Sequence, residues 1–386
     1  MIPRDTLDQL AALRSPNGTA ISFYFRRGAP ENLSHQDETI LIKDKVRELL
    51  GSLGDIQGSK SGEDLRRILG VADGLRTSSA RGKVVFACKD QEIWQEFDVD
   101  GLPETRLTSG SYFELLPALA AHRDEPRCCI VVLDREKTRV FKMQGDAIGE
   151  YSWVIDEDEG FKVRNTGTKG SSQSERQKEE PVKQHFKFVG EHLQYFFEHG
   201  DYDLLLIGTR DELWPEIEAR LPSSVLQILA GKFHADPGAI TIQEIQEQSR
   251  KMLEERRSSE LRELLQTVYG EAQRNGLGAV GVRNVADALE KGEVEALFIG
   301  DTNLGPVAEC TNCGHITPSN AAKCEICNRD TLLFSNAAEC LARKALASEN
   351  IDVQVLWDDA RLKGLGGVAA QLRFRAEQNT PQKLAS

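Results

Sequence analysis

No stretch of this chain is apolar for long enough to cross a bilayer. Its best runs, such as residues 204–207, fall far short of the ~20 residues that a spanning helix needs. The first residues carry an acid at Asp5 and lack the apolar centre of a signal peptide, so a cytoplasmic location is expected. A positive charge excess is missing too. The 48 Lys and Arg stand against 61 Asp and Glu, and the balance of −13 excludes wholesale coating of nucleic acid or membrane, though not a local basic contact. Cysteines are sparse, eight in 386 residues. Four fall in two Cys-x-x-Cys pairs, while Cys88, Cys128, Cys129 and Cys340 sit in apolar stretches. That is the arithmetic of a metal site plus buried thiols, not of a secreted disulfide framework. There is no Walker loop and no Gly-x-Ser-x-Gly elbow.

What is present reads as ordinary globular protein, with 40% hydrophobic and 28% charged residues. A length of 386 residues exceeds one comfortable core. The expected fold class is α/β, α+β overall, in three domains. Residues 1–125 form an N-terminal α+β domain with a mixed sheet. Its strands are expected at 21–25 and 83–88, with a helix whose apolar positions are Ile40, Ile42, Val46, Leu49 and Leu50 and a Gly/Ser-rich loop over 51–62. Residues 126–272 form a middle domain. Strand 128–133 and its hairpin partner 138–143 precede an exposed loop over 157–181. A helix follows, with Pro181 at its first position and an apolar stripe at Val182, Phe186, Val189, Leu193 and Phe196. Strand 204–207, a helix over 213–221 and a strand over 225–230 then suggest a mainly parallel sheet. A charged helix from Ile242 to about Tyr269 leads on. Residues 273–386 form an α/β/α C-terminal domain with a metal-binding ribbon inserted at 308–330.

The spacing Cys310-x2-Cys313-x10-Cys324-x2-Cys327 carries the most specific chemistry. Each Cys-x-x-Cys turns a tight knuckle that aims two sulfurs at one point, and two knuckles complete a tetrahedron. Gly314 and Asn328 follow the knuckles and tolerate the tight backbone required. The competing reading, a redox dithiol, uses a single such pair beside a βαβ unit. Four thiolates close the coordination sphere, so the expected cofactor is structural zinc, with His315 superfluous as a ligand. Gly276-x-Gly278-x-x-Gly281 and Gly364-x-Gly366-x-x-Ala369 imitate nucleotide fingerprints. The first follows helical residues and the second runs into a strand, so both read as tight turns. His185, His192 and His199 recur every seven residues on one helix. At ~1.5 Å rise per residue neighbours lie about 10 Å apart, too far to share a metal. They form a polar flank. Between positions 160 and 190, Lys162, Arg164, Lys169, Arg176, Lys178, Lys183 and Lys187 face three acids, Glu175, Glu179 and Glu180, a local +4. Such an island is either a solvated loop or a contact for a phosphate backbone.

Residues 282–299, Val-Arg-Asn-Val-Ala-Asp-Ala-Leu-Glu-Lys-Gly-Glu-Val-Glu-Ala-Leu-Phe-Ile, resemble the start of the last domain in the archaeal and eukaryotic class-1 peptide chain release factors and their relative Pelota. The cysteine pairs are similar to those inserted in that domain of the archaeal factors. Residues 364–374, Gly-Leu-Gly-Gly-Val-Ala-Ala-Gln-Leu-Arg-Phe, look like their closing segment. The resemblance covers roughly residues 126–375. In release factors a middle-domain loop carries Gly-Gly-Gln and positions water for peptidyl-tRNA hydrolysis. Here that place reads Gly170-Ser171-Ser172-Gln173-Ser174. Glycine reaches backbone angles that cost other residues ~1–2 kcal/mol each, so two serines restrict the loop and add bulk. No Asn-Ile-Lys-Ser motif for stop-codon reading occurs in the first domain.

The resemblance therefore implies a bacterial relative of these factors, like the hibernation factor Balon: non-catalytic A-site binding in hibernation, rescue or stress. Lys169, Gly170, Ser171, Ser172, Gln173, Arg176 and Lys178 form its RNA-binding loop. The implied partners are ribosomal RNA, transfer RNA and an elongation-factor-type GTPase, with no membrane and no DNA. A peptidyl-tRNA hydrolase using Gln173 as catalytic residue is the enzymatic alternative, and a protein-binding adaptor is a second.

Overall fold

A computed structural model describes residues 2–27, 35–53, 60–74, 81–121, 126–145, 147–151, 175–300, 303–348 and 350–376. The chain divides into two compact units: Met1–Arg123 with Arg262–Ser386, and Asp124–Leu261. In the first segment, α1 (Arg4–Ala12), β1 (Ala20–Arg26), α2 (His35–Leu53), α3 (Lys60–Gly74), β2 (Gly82–Cys88), β3 (Ile93–Val99), β4 (Arg106–Gly110) and α4 (Leu116–Ala121) follow in order. The strands form an antiparallel sheet, β3-β2-β1-β4. Its two central strands are buried on both faces, so alternation sorts their side chains between two cores rather than between core and water. Ile21, Phe23, Phe25, Val85 and Ala87 pack against Ile42 and Val46 of α2 and Leu65 and Ile68 of α3. Tyr24, Val84, Phe86 and Cys88 face the other way. Ile40, expected in the apolar stripe of α2, is 49% exposed. It lies about 200° around the helix from Ile42, at 100° per residue, and misses the face that Ile42 and Val46 bury. The expected loop begins later than Gly51, because α2 runs on to Leu53.

The middle unit contains β5 (Cys128–Leu133), β6 (Thr138–Gln144), β7 (Ala147–Tyr151), α5 (Glu175–Glu198), β8 (Leu204–Thr209), α6 (Trp214–Glu218), α7 (Ser223–Gln227) and β9 (Leu229–His234). It also takes in the first part of α8 (Ile242–Gln273), which the unit boundary crosses. The strand order is β7-β6-β5-β8-β9. Phe186, Val189 and Leu193 of α5 cover Cys129, Val131, Leu205 and Ile207. Ile245 and Met252 of α8 belong to the opposite core with Ile130, Val132 and Leu206. Three expectations are corrected. The sheet is mixed, with β5–β8 and β8–β9 parallel but β5–β6 and β6–β7 antiparallel. The Asp134 carboxylate accepts the amides of Glu136 (2.8 Å) and Lys137 (2.7 Å), and this turn folds β6 directly back on β5. The strand expected at 225–230 is instead the short helix α7, and β9 begins at Leu229. Pro222 starts that helical turn, its carbonyl accepting from Val225 and Leu226. A short apolar run alone does not distinguish the two forms. Finally, α5 begins at Glu175, so Pro181 lies inside the helix and removes one backbone bond there.

The last segment adds β10 (Gly278–Val280), α9 (Val282–Glu290), β11 (Val294–Gly300), β12 (Val307–Cys310), β13 (Ile316–Thr317), β14 (Thr331–Phe334), α10 (Ala337–Leu346), β15 (Asp352–Leu356), α11 (Ala360–Gly364) and β16 (Val368–Leu372). The larger sheet has the order β10-β16-β11-β15 and is mixed, and the ribbon is a separate sheet, β13-β12-β14. Gly292, at φ +70°, ends α9: its amide bonds Leu289 O and that of Glu293 bonds Ala288 O. Neither glycine pattern forms a phosphate loop. Gly278 opens β10 after a helix, and a Cβ there would come within 2.1 Å of Val268 O, so the residue serves close packing. Gly366 and Gly367, at φ +82° and +77°, turn the chain into β16.

The first and last segments share one core, in which Leu7, Leu10, Phe86 and Phe113 pack with Ala338, Leu341, Ala342 and Ala345 of α10. Two charged side chains one turn apart on α10 lie within it. Arg343 is 2% exposed and donates to Phe113 O (2.9 Å), Leu13 O (2.7 Å) and Ala11 O. Glu339 accepts from Leu115 N (2.8 Å) and Leu116 N (3.2 Å), at the start of α4. Burial, with Arg14 adding, lowers Arg343 to about 10, which leaves it charged at neutral pH. Arg343→Met should remove the Arg343 bond from Phe113 O and one of two arginine donors from Ala11 O and Leu13 O, which Arg14 also reaches, and leave Glu339 without its neighbouring cation. We expect a loss of about 3–5 kcal/mol from the unfolding transition of this unit in urea, with the middle unit's transition unmoved.

Candidate metal centre

The ribbon places the four expected cysteines around one point. Their sulfurs all lie within 4.8 Å of one another, with Cys310–Cys327 at 3.3 Å and Cys313–Cys324 at 3.6 Å. Cys310 ends β12, and its partner Cys313 follows one turn later. In the first knuckle, the amides of Asn312 and Cys313 point at Cys310 Sγ, each at 3.4 Å, and Gly314 N returns to Cys310 O at 3.0 Å. The second repeats this pattern: Ile326 N reaches Cys324 Sγ at 3.4 Å and Asn328 N bonds Cys324 O at 2.9 Å. Gly314 and Asn328 take left-handed angles, φ +70° and +55°, as the spacing requires. The backbone at each knuckle's entry is pinned too, by Cys310 N to His315 O and Cys324 N to Arg329 O, both 2.8 Å.

The chemistry of this donor set is that of metal ligation. Cys313 N is the chief cause that holds the Cys310 thiol down to about 6, so a thiolate is available at neutral pH. Two amide donors on one sulfur fit a charged ligand better than a neutral thiol. Four such sulfurs could hold a metal ion, and they leave it no open position for substrate. The other four cysteines are buried singly or as neighbours in β-strands and α10. Burial alone raises Cys128 to about 12 and also raises Cys129 and Cys340, so these thiols are unreactive.

His315 is not a ligand. Its Nδ1 meets Glu290 Oε2 at 3.0 Å and its Nε2 meets Glu325 Oε1 at 3.1 Å, and Glu290 in particular raises its pKa. The second oxygen of Glu290 accepts Ile316 N at 2.7 Å. A carboxylate at the end of α9 therefore anchors the ribbon, and Lys344 of α10 adds a bond to Gly314 O at 2.8 Å. Sequence spacing does not reveal Glu290 or Lys344, which lie 25 and 30 residues from their partners.

Lys169, Gly170, Ser171, Ser172 and Gln173 lie outside the described residues, while Arg176 and Lys178 are in the first turns of α5. The three spaced histidines have separate local partners. His185 Nε2 meets Thr138 Oγ1 at 3.0 Å, and His192 and His199 donate from Nδ1 to Phe188 O (2.8 Å) and Tyr195 O (2.7 Å).

Residues 115–257, which run from the end of the first segment through most of the middle unit, match the family model of Bacterial archaeo-eukaryotic release factor family 10. Uncharacterized protein Rv2629 of Mycobacterium tuberculosis is 24% identical over 319 residues, covering 79% of this chain and 81% of that protein. Similar solved structures include the archaeal translation termination factor aRF1, at 17% identity, 97% coverage of this chain and 99% of that one, and a TM-score of 0.24. S. cerevisiae Dom34, a translation termination-like factor, matches at 12% identity over 97% of this chain and 94% of its own, with a TM-score of 0.40. Archaeal Pelota, in a ribosome-bound model with ABCE1, matches at 16% identity, 76% and 78% coverage and a TM-score of 0.40. The family match is confined to residues 115–257, and over these residues the chain is similar to the bacterial archaeo-eukaryotic release factors.

Proposed function

We propose that this chain is a ribosome-associated translation factor that occupies the A site without hydrolysing peptidyl-tRNA, in hibernation, rescue or stress. The observation that carries this reading is the middle loop. The family match includes it, yet Ser171 and Ser172 stand where hydrolytic relatives carry two glycines. Each serine excludes backbone angles open to glycine and adds a side chain where the loop would approach an ester closely. Gln173 remains, but the two residues before it lack the conformational range of glycine. In this reading residues 1–125, 126–272 and 273–386 together occupy the A site, to which an elongation-factor-type GTPase delivers them. Lys169, Arg176 and Lys178 contact RNA phosphates.

The metal in this reading is zinc. At a Zn–S distance of about 2.3 Å, a regular tetrahedron sets its sulfurs about 3.8 Å apart. The observed 3.3 and 3.6 Å pairs, with all four sulfurs inside 4.8 Å, fit that figure. Zinc here supplies no catalytic step; it joins the two knuckles and fixes the ribbon.

Four experiments test these statements. In gradients the protein should co-migrate with ribosomes at low salt and dissociate at high salt. The combined Lys169→Ala, Arg176→Ala, Lys178→Ala variant should lower the salt slope by about 2–3. Protein that stays at the top of the gradient would support the adaptor reading. In single turnover with ribosome-bound peptidyl-tRNA, no release above background is expected; release abolished by Gln173→Ala would establish the hydrolase instead. Elemental analysis of purified protein should find one zinc per chain, lost in Cys324→Ser. Chelation should expose the amides of Gly314 and Asn328 to exchange while the sheet strands stay protected.

A further inference from the structure

The polar clasp on α10 has a second property, independent of the ribosomal reading. Glu339 is fully enclosed, and both hydrogen-bond partners of its carboxylate are donors: Leu115 N on one oxygen and Leu116 N on the other. We propose that Glu339 is a proton-responsive latch: uptake of one proton replaces a carboxylate that holds two amides by an acid that holds one. The junction of the first and last segments then loosens at the start of α4, with the chain still folded.

The geometry gives the direction of the change. A carboxylate oxygen accepts the proton from solvent and becomes a hydroxyl, a donor facing an amide that is itself a donor. The longer bond, from Leu116 N at 3.2 Å, is the one to yield, and the 2.8 Å bond from Leu115 N stays on the remaining carbonyl oxygen. The charged and titratable groups around the site come from several elements. Arg343 lies one turn along α10, and Glu114 precedes α4. Tyr24 of β1 donates to Glu114 O, and Arg106 of β4 pairs with the Glu114 carboxylate at 3.0 Å. Tyr112 lies beneath the Arg343 guanidinium at 5.3 Å, and Arg14 pairs with Glu309 of β12 at 3.0 Å.

Burial is the main influence on Glu339 and raises it, Glu114 raises it further, and Arg343 and the two amides oppose them. The balance falls at about 7, so both forms are populated near neutral pH. Global and local effects then have opposite signs. The folded chain holds this proton up to about 7, while an unfolded glutamate releases it near 4.5. Uptake therefore adds to global stability as pH falls from 7 towards 4.5. The local bond to Leu116 is lost over the upper part of the same range. A loosened junction in a chain that is globally no less stable is the signature that separates a latch from acid unfolding.

Amide hydrogen exchange on the full-length protein reads this out, with each rate divided by the intrinsic rate at that pH. Between pH 8 and pH 6, protection of the amides over residues 113–118 should fall by about fivefold, as expected for one lost hydrogen bond. Amides of β5 and β8 should not change. Glu339→Gln, which keeps one carbonyl acceptor and cannot titrate, should show the low-pH protection at every pH. Pulse-labelling of wild type decides the matter even if that variant folds poorly: pH-independent protection over 113–118 overturns the proposal. So does an equal loss in β5 and β8, which would mark general destabilisation.

Discussion

A buried arginine determines how this chain comes together. Arg343 takes three carbonyls that no helix or sheet satisfies, two from the end of α1 and its exit and one from the turn before α4. Those carbonyls come from positions 11, 13 and 113, and the cation comes from α10, so the bonds join residues more than 200 apart in sequence. Enclosing a guanidinium is costly, and the three carbonyls offset part of that cost by taking its two terminal nitrogens, while Nε has no partner among the described residues. Its burial thus demands one arrangement of the surrounding backbone. Apolar packing alone, with Leu10, Phe113, Leu341 and Ala345 in contact, would accept small slips between the segments. Three directional bonds to carbonyls would not.

The same helix reaches the ribbon. Asn336 caps α10, and its side chain receives the amides of Ala338 and Leu304, both at 3.1 Å. Lys344, next to Arg343, then bonds the carbonyl of Gly314 in the first knuckle. Tyr112 of the first segment stacks on Phe334 at the end of β14, with centroids 4.4 Å apart. Three of the unit's parts, the first segment, the larger sheet and the ribbon, therefore meet on ten residues of α10. A metal that tightens the knuckles acts on a backbone already fixed from one side by Lys344 and from the other by Glu290 through His315.

What the sequence made legible follows from the range of the interactions involved. The cysteine knuckles are local, because four sulfurs and two left-handed residues lie within 19 positions, and their spacing alone conveys the geometry. Strands β1, β2, β5 and β8 were legible for a similar reason: their runs of Val, Ile, Leu and Phe are short and bounded by turn residues. The misjudged places are those where a neighbour decides. The Leu-rich run after Pro222 supports a helical turn and a strand equally well until β8 takes one side of it. Pro181 looks like a helix start, yet α5 extends beyond it. Ile40 sits on an amphipathic helix but outside the face that the sheet covers. The clasp had one signal that short-range patterns do not interpret, namely a glutamate and an arginine four apart in a helix whose one other charge is Lys344.

The charge pattern gives the proposed binding mode its physical coherence. Four acids at positions 156–159 immediately precede the basic run that begins at Lys162, so the middle segment is charge-separated rather than simply positive. At physiological ionic strength charges screen one another beyond about 8 Å. An RNA surface would therefore sense the basic run and the acidic run as distinct patches. The chain as a whole, acidic at −13 even with this basic run included, is repelled where its acidic surface approaches phosphates. Such a distribution favours one orientation over many, and it does so without a reactive group. Affinity set by a few local contacts on a repelling body is modest and readily reversed by salt, which suits the proposed reversible binding to the ribosome.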